Sequence, residues 1–143
     1  MSAEFRHTIR VRYNECDPQG HVFNANYLAY FDLAMTELWR ELGGYGAMID
    51  EGVDMVVAEA RVRYLASLGF DDEAELAVCS ITLGNTSMMT ELAIYRGGDA
   101  VAEGDLRHVF VNTSEGGTAP IPEAVRSGLA RYSAGSGASP NAA

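Results

Sequence analysis

At 143 residues, with 48% apolar side chains and a net charge of −10, the chain has the size of one domain and can build one core without disulfides or metal. Its acidity argues against a broad nucleic-acid or anionic-membrane surface, and no apolar run approaches the ~20 residues that span a bilayer. Cys16 and Cys79 are too few for a disulfide framework, and the first residues lack a secretion signal's apolar stretch, so a soluble cytoplasmic protein with reduced thiols is expected.

Phe5, His7, Ile9, Val11 and Tyr13 alternate with Arg6, Thr8, Arg10 and Arg12, the period-two pattern of a half-buried strand. Asp17-Pro18-Gln19-Gly20 breaks it with turn chemistry. From Ala25 to Leu42 the period is helical. Tyr27, Phe31, Ala34 and Leu38 form one apolar row and Leu28, Met35, Trp39 and Leu42 its neighbour. Only the stripe Ala29, Asp32, Thr36, Arg40 is small or polar, so the helix is expected to be largely buried. Gly43-Gly44 stops it, where glycine accepts a left-handed cap.

The remainder reads as β. Met55–Leu65 and Glu73–Leu83 are strand-like, Gly84-Asn85 is a turn, and Ser87–Arg96 is a further strand. Gly97-Gly98 marks a tight hairpin before Ala100–Asn112. Gly104 inside that last strand signals a bulge or a close backbone approach. Pro120-Ile121-Pro122 opens a short helix through about Tyr132. Residues 1–132 make one domain, and 133–143, rich in Ala, Gly and Ser, are expected to be a disordered tail. The short links favour antiparallel pairing, and the first strand must pair non-locally. The class is α+β: an antiparallel sheet of about five strands with one face on a long helix.

Several chemistries lack their signature. There is no G-x-S-x-G elbow, no phosphate-binding P-loop and no G-x-G-x-x-G after a strand. His7, His21 and His108 are scattered and no paired C-x-x-C occurs, so no metal or other cofactor is expected.

The informative segment runs from Arg12 to Tyr27. It is a strand end, a Pro/Gly loop, then a helix start with Asn24 as its expected N-cap. Backbone N–H groups of the first helical turn lack helical partners and suit a developing negative charge. A carboxylate beside them, Asp17, makes a usable hydrolytic pair. The pattern Asp17-x-x-Gly20-His21-Val22-x-Asn24-x-x-Tyr27, after Arg12-Tyr13, resembles the hotdog-fold acyl-CoA thioesterases of the 4-hydroxybenzoyl-CoA thioesterase family.

The resemblance implies a hotdog fold, a sheet wrapped around a long central helix. It implies a homodimer or homotetramer with active sites at a subunit interface, an acyl-CoA substrate and no cofactor. By position, Asp17 is the catalytic carboxylate, acting as nucleophile or general base. The backbone N–H at or near Asn24 is the oxyanion donor, His21 lies in the loop between them, and Asp32 faces the acyl group. Tyr13, Val22, Phe23 and Tyr27 are candidates to line the acyl pocket, or are plain core. Coenzyme A is anionic, so Arg61 with Arg63, or Arg96 with Arg107, would supply a local basic patch, unless these are ordinary solvated strand residues.

Other readings stay open. Asp17 before Pro18 is also a common turn opener. Glu15 reads as a solvated or salt-bridged carboxylate, and Cys16 as a small packed side chain rather than a nucleophile. Two rivals to hydrolysis remain: an acyl-thioester dehydratase or hydratase using Asp17 and His21, and a non-catalytic acyl-binding module.

Overall fold

A computed structural model describes residues 4–44 and 46–133. Strand β1 (Phe5–Arg10) leads through a 3-10 turn (Tyr13–Glu15) to helix α1 (Ala25–Glu41) and a short helix α2 (Gly46–Asp50). Strands β2 (Val53–Tyr64), β3 (Glu73–Leu83), β4 (Ser87–Arg96) and β5 (Asp99–Asn112) follow, then α3 (Glu123–Leu129) and a 3-10 turn (Ala130–Tyr132). The expected disordered tail lies, from residue 134 on, outside the described residues.

The five strands form one antiparallel sheet in the order β1-β3-β4-β5-β2. Pairing of β1 with β3 is the non-local contact that the interposed helix requires, with Phe5 opposite Val78 and Arg10 opposite Glu73. The β4–β5 hairpin turns on Gly97 and Gly98, at φ 59° and 93°. Both left-handed angles match the twist of the flanking strands, and glycine adopts them without a Cβ clash.

Alternation sorts the side chains between two faces. Leu76, Val78, Leu92, Ile94, Leu106 and Phe110 join Phe31, Ala34 and Leu38 of α1 in the core. The opposite face is charged. Arg6 meets Glu75 at 2.6 Å, Arg63 meets Glu103 at 2.9 Å and Arg61 meets Asp105 at 3.6 Å. Exposed pairs of this kind contribute only about 0–1 kcal/mol each. Ala77, Met89 and Ala93 are buried yet lie outside the core cluster.

Some expectations need correction. The first strand ends at Arg10 and does not reach Tyr13. Val11 exchanges backbone hydrogen bonds with Asp71 and Asp72, and the chain then folds into its 3-10 turn. Gly104 is a close approach rather than a bulge, because a Cβ there would fall on the carbonyl oxygen of Arg61 and lie 2.7 Å from Phe31 Cε2. The register shifts of β5 lie elsewhere, opposite Val57/Glu59 and Ile94/Tyr95. Strand β2 does not alternate in burial as read: its register shifts between Val57 and Glu59, every residue from Val56 to Arg61 is exposed, and Val56, Val57, Tyr64 and the following Leu65 are about half exposed. It is an edge strand, with β5 as its neighbour.

Candidate active site

The loop between β1 and α1 is a miniature antiparallel hairpin. Phe23 N–H donates to Glu15 C=O at 3.0 Å, and Asp17 N–H donates to His21 C=O at 2.8 Å. Cys16 and Val22 face each other between these bonds. Gly20, at φ 84°, accepts the turn geometry that a Cβ would resist. The loop is fastened below by Val22 N–H on Leu68 C=O at 2.8 Å, with Val22 itself buried.

Asp17 is half-buried. Its Oδ1 accepts the Gln19 N–H at 2.9 Å, the bond of an Asx turn, so the turn-opener reading of Asp-Pro holds. Oδ2 accepts no hydrogen bond among the described residues. A structural and a chemical role are compatible here, since one oxygen sets the turn and the other is available.

The hairpin's second strand runs directly into α1. Asn24 is not the expected side-chain cap: it is already helical, at φ −57° and ψ −35°, and its side chain makes no capping bond. The first turn instead closes through backbone, Asn26 N–H to Phe23 C=O at 2.9 Å and Tyr27 N–H to Asn24 C=O at 3.3 Å. The N–H groups of Asn24 and Ala25 donate to no described group. They are the positive end of the helix dipole, next to the loop that carries Asp17.

The other candidates divide by location. His21 is exposed, in a backbone bridge with Gly69. Tyr13 is 79% exposed and packs edge-on against Phe70 at 5.7 Å. Phe23 is half exposed, whereas Tyr27 is buried, accepts Leu68 N–H at 3.2 Å and packs edge-on against Tyr64. Val22 and Tyr27 are therefore core, and Tyr13 and Phe23 are surface. Asp32 lies farther along α1, on a cleft of about 360 Å³ with Met35, Trp39, Met55, Val57 and His108. None of Tyr13, Val22, Phe23 and Tyr27 lines that cleft.

His108 was not singled out by the sequence reading. It is 4% exposed, and Nδ1 has no hydrogen-bond partner among the described residues. Burial lowers its pKa from the ordinary 6.5, opposed by the nearby Asp32 charge. The available signal was a histidine between inward-facing Leu106 and Phe110.

Glu15, read as a solvated or salt-bridged carboxylate, instead accepts hydrogen bonds from Arg12 N–H and Tyr30 O–H, both at 2.8 Å. Cys16 is half-buried, and burial, reinforced by Glu15, Asp17 and Asp72, pushes its thiol pKa up, away from the reactive thiolate. Arg61 and Arg63 are paired with Asp105 and Glu103, and Arg96 meets Asp72 at 3.4 Å and the Ser67 carbonyl. Arg107 is engaged as well. No described helix is long and apolar enough to cross a membrane.

Comparison with known proteins gives concordant results. A family model described as the thioesterase-like superfamily matches residues 11–129. The acyl-CoA thioester hydrolase YbgC of Escherichia coli is 33% identical over 86 residues, 59% of this chain and 64% of that protein. A crystal structure from Aquifex aeolicus superposes with a TM-score of 0.82 at 30% identity, covering 87% of this chain and 98% of the other. A gentisyl-coenzyme A thioesterase superposes at 0.78 with 28% identity, covering 87% and 99%.

Proposed function

Because this chain belongs to the thioesterase-like superfamily and is a thioester hydrolase of the hotdog fold, we propose that Asp17 carries the reaction on an acyl-CoA thioester. The supporting observation is the hairpin that sets Asp17 opposite a strand running straight into the unpartnered amides of α1. What a carboxylate needs for this chemistry is placement. It either attacks the acyl carbon, expelling the thiolate and leaving an anhydride for water to open, or takes a proton from a water that attacks. Both routes consume one water and release an acid and a thiol. In both, the carbonyl oxygen gains negative charge, which in this reading the Asn24 and Ala25 N–H groups receive. His21, within this loop, is a second polar group for the substrate.

The cleft at Asp32 takes the acyl group in this reading. Met35, Trp39, Met55 and Val57 supply apolar walls, and Asp32 and His108 supply polar groups. An acyl group with a hydrogen-bonding substituent fits such a lining better than a plain alkyl chain. In one chain the cleft and Asp17 are apart along α1, and a second copy resolves this. Tyr64, at one end of β2, donates to Asn24 C=O at 2.9 Å, while Val57, toward the other end, lines the cleft. Antiparallel pairing of β2 with β2 of a second copy brings the cleft end of each beside the Asp17 end of the other. The half-exposed Val56, Val57, Tyr64 and Leu65 support that contact.

The test is thiol release from a panel of aromatic and aliphatic acyl-CoA esters. Asp17→Asn should remain folded and lose at least about a hundredfold in kcat, the lower range for a lost general base. Full turnover by the folded variant would sink the assignment. Product analysis also separates the rivals, since a hydratase alters a double bond without releasing thiol.

A further inference from the structure

Glu15 does more in this loop than its place on a polar turn suggests. Its Oε1 accepts Arg12 N–H and Tyr30 O–H, both at 2.8 Å. Its backbone oxygen accepts Phe23 N–H at 3.0 Å and Asn26 Nδ2–H at 2.8 Å. One residue thus receives four hydrogen bonds, from the turn before Asp17, from the strand entering α1, and from the first and second turns of α1 itself. Tyr30 is 3% exposed, so its hydroxyl is delivered from inside the core. Burial and the bond to Glu15 both push the Tyr30 hydroxyl pKa up, so it stays a donor throughout the working pH range.

We propose that Glu15 and Tyr30 form a positioning clamp that fixes Asp17 relative to the amides at the start of α1. The inference rests on the reading of Asp17 given above. Asp17 lies two residues beyond Glu15, on the same short hairpin, and the amides lie one and two residues beyond Phe23. The Glu15 carbonyl therefore ties together the two sides whose separation the reaction depends on. The buried Tyr30 hydroxyl anchors that tie to the rigid helix rather than to the loop. Neither residue touches substrate in this arrangement; both act through geometry. Misplacement of reacting groups by about 1 Å can cost on the order of a hundredfold in rate.

The experiment compares Tyr30→Phe, Glu15→Ala, the double variant and Glu15→Gln with wild type. It measures kcat and KM for thiol release, and amide hydrogen exchange across residues 15–24. Tyr30→Phe and Glu15→Ala should each lower kcat by about tenfold to a hundredfold, with KM little changed. The double variant should match Glu15→Ala alone, because both changes remove the same bond. Glu15→Gln keeps an accepting oxygen and should recover most of the loss. Exchange in 15–24 should accelerate while the central strands stay protected. Unchanged kcat in folded Tyr30→Phe and Glu15→Ala, or a loss that only tracks the unfolded fraction, would overturn the clamp. If Asp17→Asn retains full turnover, the Asp17 chemistry falls. Exchange alone then decides the clamp: faster exchange upholds it and unchanged exchange overturns it.

Discussion

A buried histidine that keeps to its neutral form links the cleft at Asp32 to the stability of the protein. The folded pKa of His108 lies below its ordinary 6.5, mainly through burial. The unfolded chain therefore binds the proton more readily, and stability is lost as pH falls below about 6.5 toward the folded value. Above that window the group contributes no pH dependence. His108→Gln removes the titration, so its melting temperature should fall less than that of wild type between pH 7 and pH 5. Parallel pH profiles for the two proteins would show that His108 is protonated as easily when folded as when unfolded. The comparison isolates His108 because carboxylates titrate in both proteins.

At the scale of the elements, β5 meets β2 and α1 at Gly104 too closely for a side chain. Gly104 sits where Arg61 C=O and the Phe31 ring leave no space for a methyl group. Gly104→Ala must displace a strand or a core aromatic, and overpacking of this kind costs about 1–3 kcal/mol. Because an obstructing atom is main chain, the upper part of that range is expected, read as a lower urea midpoint with little change in m. A variant as stable as wild type would show that β2 moves freely at this point. Helix α1 is held in the core through Tyr27, Phe31, Ala34 and Leu38, and its polar stripe carries Asp32 to the cleft.

At the scale of the molecule, the proposed pairing through β2 makes activity depend on assembly. Val57→Glu should place like charges at that edge, give a monomer in analytical ultracentrifugation and reduce turnover with it. A wild type that is monomeric at micromolar concentration and fully active would exclude the shared site. The charge of −10 adds a general field against an anionic substrate. Arg61, Arg63 and Arg96, all paired with acids, do not form a free basic surface in one chain.

Much of this was determined by the sequence alone. Strand-like composition between turn signals at Gly84-Asn85 and Gly97-Gly98 gave β3 and β4 their observed bounds, because these strands are held between neighbours and a fixed turn. In α1 the row Tyr27, Phe31, Ala34, Leu38 is buried as read, because a core-facing row must repeat along the helix, whereas of its neighbour only Met35 and Trp39 are buried, Leu28 is exposed, and buried Tyr30 belonged to neither row. The loop motif placed Asp17 before the start of α1. Only the tertiary structure decided the rest. Nothing local marks Asn24 as helical without a side-chain cap, Glu15 as bonded to a tyrosine fifteen residues on, or His108 as a neighbour of Asp32. Those depend on which face of each element meets another. Sequence periodicity reports that a face is buried, whereas the partner waiting there is set by strand order and register.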